Sequence, residues 1–475
     1  MATILTLDLG TTYFKVGLFN RQGSLCALHR EASPITHPRE GLWELDVRLF
    51  QESICSSIRH LAKLSPDGLK MVEAITFATQ TNSFVLLDRD KSPVTPIILW
   101  PDDRAQDFDN RVRQLTQIPG FQATTGISQL GYEFMAAKLL WLQENDPATW
   151  SRANRLCLIS DYLTWWLTGQ HVTEAGVAGL TGAVDIHALR WWPEVCETLH
   201  LDGAMLPQVT QAGTDVGPIL PAVADELGLP ATCRFIIGCL DQYAGAIGAG
   251  NITPGGVSET TGTVLATVRC VDALRENASN DLFQGPGFGP GIYYQMVFGN
   301  TSANLLEWYR NQLPDRPDFE LLGRFAADVP PGAEGLRVRP DANMTTVEEA
   351  FMGMQAKHTA GHATRAIMEA VAFALAEQVE RLCGSQRPTL IRAGGGASRS
   401  NLWLQIKADV LNTPFVASVC PEPTSLGVAM LAARALDWGT LDEFAETWVR
   451  AQSPYTPDRD RHTFYQTLRR DSDVC

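Results

Sequence analysis

None of the chain's ten cysteines forms a Cys-x-x-Cys pair, and no His/Cys cluster stands at metal-ligand spacing, which excludes a zinc ribbon or a dithiol redox centre. Scattered thiols of this kind suit a reduced, cytoplasmic protein. No apolar run approaches the roughly 18 residues of a membrane span. The N-terminus has no basic leader, and Asp8 interrupts its first apolar run, so neither export nor a membrane partner is expected. Positive charge is scarce: 38 Lys plus Arg face 53 Asp plus Glu, a net charge of −15 that disfavours nucleic acid as a partner. Small anions stay open, because backbone amides hold phosphate without net positive charge. There is no Gly-Lys dipeptide, so a Walker-type phosphate loop is absent, and the catalytic tripeptides of protein kinases are missing too. Phosphoryl transfer by this chain needs another scaffold.

What is present argues for two packed domains. The 475 residues exceed the size at which one core stops growing, and a hydrophobic content of 45% supplies apolar surface for more than one. Ile4 to Leu7 and Val16 to Phe19 read as an edge hairpin turning at Gly10-Thr11-Thr12. The same grammar returns far downstream: Gly255 to Ser258, a small-hydroxyl turn at Thr260 to Thr263, then Val264 to Val268. Such a repeat implies two related α/β lobes, residues 1–248 and 249–475. Strands are expected at Ala74 to Ala78, Phe84 to Leu87 and Ile97 to Trp100, and helices at Phe134 to Gln143 and Ser160 to Leu167, the latter stopped by Gly169. In the second half a helix from His358 to Cys383 ends at Gly384. The strand Leu390 to Arg392 runs into Gly394-Gly395-Gly396-Ala397 before a helix from about Arg399. Phe283 to Gly291 reads as a Gly/Pro loop, and the tail beyond Asp442 as one or two helices.

Four segments can carry chemistry. Asp8-Leu9-Gly10-Thr11-Thr12 sets a carboxylate at a strand end before a tight turn with two hydroxyls, suited to a γ-phosphate and to Mg²⁺ held by Asp8 through water. Taken alone, the pentapeptide is equally an ordinary hairpin turn with a capping Asp. The second turn, Thr260 to Thr263, gains meaning only as its counterpart across a phosphate-binding cleft. Gly394 to Ala397, with Ser398 and Asn401 at a helix start, offers bare backbone for a flat nucleoside, or else tight helix-to-strand packing. Asp241 follows the apolar strand Phe235 to Ile237 and opens a small-residue helix; it is either a general base for an attacking hydroxyl or a helix N-cap. Gly245 to Gly250 departs from the dinucleotide fingerprint and reads as helix packing. His358 and His362 share a helical face without the Glu of a metalloprotease and are assigned no metal, while Trp165-Trp166 and Trp191-Trp192 read as core.

These residues resemble the FGGY carbohydrate kinases over roughly residues 3 to 440. The landmarks stand in order: Asp8 to Thr12, Gln80, Trp100-Pro101-Asp102-Asp103-Arg104, Lys138 to Leu142, Asp161 to Gly169, Leu206-Pro207, Gly238 to Asp241, Gly262-Thr263, Arg365 to Glu369 and Gly394 to Ala397. The resemblance implies an α/β fold of two actin-like (ribonuclease H-like) lobes, of the sugar kinase, heat-shock chaperone and actin superfamily, with an interlobe cleft. The first lobe would hold the sugar and the second the ATP. Asp241 matches the catalytic base. Gly10, Thr11 and Thr12, with Lys15, match the first phosphate turn, and Gly262 and Thr263 the second. Gly394, Gly395, Gly396, Ala397 and Asn401 match the adenosine site, and Asp8 the residue linked to Mg²⁺. Gln80, Thr81, Asn82, Asp102, Arg104, Asp241 and Gln242 are the substrate-side set. The pattern is nearest the xylulose kinases, which predicts a pentulose phosphorylated at a hydroxyl. A polyol kinase of the glycerol or erythritol type and a non-catalytic ATP-binding protein are the alternatives. Family habit adds a homodimer. Thr81-Asn82, Arg339-Pro340-Asp341-Ala342-Asn343, Glu349 and Asn20 depart from the family pattern.

Overall fold

The computed structural model describes residues 2–275, 281–339 and 346–472; Pro340 to Asn343 of the departing segment lie outside them. Contacts divide the chain into two compact units. Met1–Pro254, Cys270–Gln295 and Glu422–Val449 form the first, and Gly255–Arg269, Met296–Pro421 and Arg450–Cys475 the second. The chain first changes units after Pro254, and two later segments return to the first unit.

In the first unit a sheet contains β1 (Thr3–Leu9), β2 (Tyr13–Asn20), β3 (Leu25–Ala32), β4 (Val72–Thr79), β5 (Asp215–Pro218), β6 (Arg234–Ile236) and β7 (Cys239–Leu240). Its order is β5-β6-β4-β1-β2-β3, with β7 also paired to β4. β1 runs antiparallel to β2 and parallel to β4. The expected edge hairpin is therefore interior, and β3 forms the edge. All seven residues of β1 are buried, as a strand covered on both faces must be. α1 (Val47–Leu64) starts at an Asp46 cap and buries Phe50, Ile54, Ile58 and Leu61 at helical spacing against β2 and β3. α2 (Met135–Asn145) and α3 (Ile159–Thr168) fall where periodicity put them, and α3 ends at Gly169 with φ +75°. The expected Ile97 to Trp100 strand shortens to Ile97–Ile98.

α4 (Asp241–Gly248) packs against the helix Pro423–Ala435. A Cβ at Gly248 would overlap the Pro423 carbonyl, and one at Gly427 the Ala244 carbonyl. The small residues of Gly245 to Gly250 are thus a packing device, as expected. Trp192 is buried, while Trp165 and Trp166 lie half-buried against the core.

The second unit repeats the plan. β8 (Val257–Thr261) pairs antiparallel with β9 (Leu265–Val271) and parallel with β11 (Ile391–Gly394), in the order β10-β9-β8-β11-β12, where β10 is Tyr293–Gly299 and β12 is Phe415–Ala417. This is the pairing of β1 with β2 and β4, so the repeat seen in sequence is a repeat of topology. α5 (Ala303–Gln312), α6 (Ala360–Cys383) and α7 (Asn401–Leu411) belong to this unit, and α6 stops at Gly384. Buried Arg365 and Glu369 on α6 pair at 2.9 Å and share the Tyr465 hydroxyl, which fastens the C-terminal helix Arg459–Ser472 to α6. The Phe283 to Gly291 loop needs correction, because Phe283–Pro286 is a strand with Gln284 buried inside it. Its residues, Phe-Gln-Gly-Pro, carry no alternation that could have marked the strand.

Candidate active site

In the first unit, Leu9 and Leu240 both stand beside Thr79 in parallel register, so β1, β4 and β7 end together. Ligand sites of open α/β sheets form at such carboxyl ends. Asp8, Gln80 and Asp241 arrive there from three distant parts of the sequence. Asp241 is the first residue of α4, whose cap is Leu240; among the described residues the carboxylate accepts a hydrogen bond only from its neighbour Gln242 N, at 2.7 Å, so it is not the N-cap of α4. It is partly exposed. Burial lifts its carboxyl to about 7, with the negative charge of Asp8 adding to the rise and the Gln242 amide and Lys15 opposing it.

Asp8 is 6% exposed and faces Lys15 across the β1/β2 ladder. The Lys15 ammonium lies 3.2 Å from Asp8 Oδ2 and 2.8 Å from Glu422 Oε2. Burial raises the Asp8 carboxyl above its ordinary range against the pull of Lys15. For Lys15 burial works downward, but the two carboxylates outweigh it and hold the ammonium above its usual value. Glu422 escaped the sequence reading: it lies more than 400 residues from its partner, and nothing local marks it. Among the described residues no group of three or more His, Cys, Asp or Glu is arranged to hold a metal. A single carboxylate such as Asp8 nonetheless fits Mg²⁺, which takes one or two acidic ligands and completes its shell with phosphate and water.

The turn between β1 and β2 joins a polar chain. Thr11 Oγ1 donates to Gln80 Oε1 at 3.2 Å and accepts from Trp100 Nε1 at 2.9 Å. Ser83 Oγ donates to the same Gln80 oxygen and accepts Trp100 N, and Gln80 Nε2 reaches Leu9 O. The Lys138 ammonium, fully buried, donates to the carbonyls of Trp100, Tyr132 and Glu133. The segment after Trp100 folds on itself: enclosed Asp102 accepts Trp43 N and the Arg104 guanidinium, and Arg104 also reaches Glu44 at 2.5 Å. Thr81 Oγ1 donates to Val177 O. Asn82, in the left-handed region at φ +59°, bonds Leu180 O and Met135 N. Gln80 thus binds Thr11, Ser83 and Leu9, while Thr81, Asn82, Asp102 and Arg104 are each tied to other backbone or side-chain partners. Ser83 and Glu44 join these contacts although no sequence signal singled them out, and Trp100, legible only as part of its landmark, contributes its indole.

The second unit brings the 260–263 turn and the 394–401 segment together. Thr260 pairs with Gly394 across β8 and β11. The Gly262 carbonyl accepts Ala303 N at 3.0 Å and Ser302 Oγ at 2.8 Å, which pins the turn to the start of α5, while Thr263 is exposed. Gly395, at φ +75°, rides so close over Thr261 that a Cβ would stand 2.6 Å from its carbonyl, whereas nothing lies within 4 Å of one built on Gly396. That is the bare surface a flat ring needs. Asn401 opens α7 behind the Ser400 cap and accepts the Tyr455 hydroxyl at 2.7 Å. His358 and His362 lie apart from these residues, their rings 5.2 Å from one another.

Strand-end carboxylates in one unit, and a hydroxyl turn beside a run of glycines in the other, are residue types that a phosphotransferase acting on an alcohol uses. The chain belongs to the FGGY family of carbohydrate kinases: the model of the family's N-terminal domain matches residues 3–248, and that of its C-terminal domain residues 231–436. It is a sugar or polyol kinase using ATP, with the actin-like fold of sugar kinases. Xylulose kinase of Bacillus subtilis is 27% identical over 98% of this chain and 95% of its own. Glycerol kinase of Thermus brockianus is 28% identical, covering 99% and 98%. The crystal structure of ligand-bound xylulose kinase from Lactobacillus acidophilus matches with a TM-score of 0.89 at 25% identity, covering 98% of this chain and 96% of that one. No helix among the described residues is long and apolar enough to cross a membrane.

Proposed function

We propose that this chain transfers the γ-phosphoryl group of ATP to a hydroxyl of a pentulose such as xylulose, with Asp241 as general base. The observation that carries the assignment is the state of Asp241: a partly exposed carboxylate at a strand end, its carboxyl lifted to about 7 and bonded, among the described residues, only to its own helix start. A base so poised takes the proton of the attacking hydroxyl, an effect worth about 10²- to 10⁴-fold in rate. Positioning and fixed charge supply the rest, since the transition state is loose. Residues 1–248 form the sugar-binding half and 249–475 the ATP-binding half. Gly10, Thr11, Thr12 and Lys15 face the terminal phosphate, Gly262 and Thr263 a second phosphate, and Gly394 to Ala397 with Asn401 the nucleoside. Gln80, Trp100, Asp102, Arg104 and Gln242 shape the sugar pocket with Thr81 and Asn82 behind them. Asp8 would hold Mg²⁺, which neutralises phosphate charge when bound.

The pentulose is favoured over a polyol by Trp100-Pro101-Asp102-Asp103-Arg104, folded here around Asp102, and by the xylulose kinases among the relatives. The glycerol kinases among them keep the polyol reading as its rival. Turnover with xylulose, ribulose, glycerol and erythritol decides between them, and saturation by glycerol alone would defeat the pentulose assignment. Asp241→Asn tests the base: turnover should fall by at least about 10²-fold while a non-hydrolysable ATP analogue still raises the melting temperature. Near-normal turnover removes Asp241 from the role.

A further inference from the structure

Lys407 and Glu259 form an ion pair that no water reaches: both side chains are 0% exposed, and Nζ lies 2.7 Å from Glu259 Oε1. The same ammonium donates to Thr261 Oγ1 at 2.7 Å, and that hydroxyl donates to Glu259 Oε2 at 2.6 Å, so three groups close a ring of hydrogen bonds. The centroid of the Trp403 ring lies 5.7 Å from Nζ. The residues around it on α7, Leu404, Ile406 and Ala408, are buried and apolar. Burying two charges costs several kcal/mol each in desolvation, and a well-packed apolar pair often serves stability equally well. The pair therefore calls for a reason other than stability.

Its position supplies one. Glu259 and Thr261 sit on β8 immediately before the Gly262-Thr263 turn, and Lys407 sits on α7, the helix opened by Asn401. Thr261 is held by its side chain in the ring while its carbonyl lies beneath Gly395. One ammonium thus fixes the last residue before the hydroxyl turn, the floor of the glycine shelf and the helix that follows the shelf. We propose that Lys407 is a positioning residue for the nucleotide, locking the Thr261-Gly262-Thr263 turn and the Gly394-Ala397 shelf into one rigid surface through the Glu259-Thr261 ring. Lys407 is enclosed and touches no ligand. The proposal rests on the reading of turn and shelf as the ATP site.

Three variants test it, with AMP-PNP binding measured by calorimetry and folding by thermal melting. Lys407→Met alone strands a buried carboxylate and is expected to be destabilised. The double variant Glu259→Leu/Lys407→Met keeps the space filled; it should melt close to the wild type yet bind AMP-PNP about tenfold more weakly, a change of about 1.4 kcal/mol. Thr261→Val, which leaves both charges paired, should weaken AMP-PNP in the same direction and settles the matter should the double variant fail to fold. With the sugar that the enzyme turns over, KM for ATP should rise while KM for that sugar stays put. Thr263→Ala serves as the control for the turn itself. If Thr263→Ala weakens AMP-PNP but the ring variants bind it as the wild type does, the role of Lys407 is refuted and the ATP site stands. If Thr263→Ala also binds normally, the assignment of the turn to phosphate fails, and this proposal with it.

Discussion

Asp241 shows how one side chain acquires a function from its surroundings. A carboxyl in water titrates near 3.9 and is too weak a base for an alcohol at neutral pH. Here burial and the nearby Asp8 charge raise it to about 7, and a single amide hydrogen bond is too little to restore the ordinary value. Only the deprotonated form can accept a proton, so kcat/KM for the sugar should climb with pH through about 7 and then level. Asp8→Asn removes a negative charge and should move that limb to lower pH, whatever it does to the plateau. A pH-rate profile of both enzymes checks this, and an unmoved limb would separate the titration from the Asp8–Asp241 pair. From sequence Asp8 and Asp241 were legible as strand-end carboxylates, but the second carboxylate on Lys15 was not. Glu422 reaches Lys15 only because the chain returns to the first unit after residue 421, and such a return leaves no local pattern in the residues themselves.

At the scale of elements, hairpins and helix stops were legible because they depend on neighbours in sequence. The apolar strands β2 and β9 on either side of a small-residue turn, glycine after α3 and α6, and the strand-glycine-helix run at 391–401 are all short-range signals. Strand order was not legible: β1 looked like an edge and lies inside the sheet, since pairing with β4 is set by segments some 70 residues away. The glycines of α4 lie between these cases. Their spacing suggested packing, but the partner, the helix Pro423–Ala435, could be known only from the fold. Gly248 and Gly427 let the two backbones approach until no Cβ fits between them. Gly427→Val should cost about 3 kcal/mol or more, above the range of simple overpacking, because backbone atoms cannot step aside as side chains do. Since α4 begins with Asp241, the same variant should lower kcat even below its melting temperature. Urea titration and activity at 20 °C read the two effects, and wild-type behaviour in both would show that the helices can part at little cost.

Across the whole molecule, buried carboxyls set how stability answers to pH. Asp161, whose carboxylate accepts Leu158 N, is raised to about 7, chiefly by burial. Glu174 caps the helix Ala175–Gly179 through Gly176 N and Val177 N and is raised to about 8 by burial, against those amides and helped upward by Asp161. Asp241 makes a third. In each case the folded chain holds a proton that the unfolded chain has released by about pH 4 to 4.5. Between there and about pH 8 the native state binds more protons, so stability is greatest at the acid end of this window and falls as pH rises through it. Carboxyls shifted the other way, such as Glu334 beside Lys357 and Glu443 at its helix start, are exposed and screened by solvent, and the buried Asp161 and Glu174, with partly exposed Asp241 adding less, should prevail. The melting temperature should therefore drop steadily from pH 5.5 to 8.5. Glu174→Gln, which cannot ionise, should flatten that slope and melt higher than the wild type at pH 8.5, where the native Glu174 is ionised at the cost of its burial. A slope unchanged by Glu174→Gln would mean that the amides of Gly176 and Val177 already satisfy the charge, and that burial at this position carries no penalty.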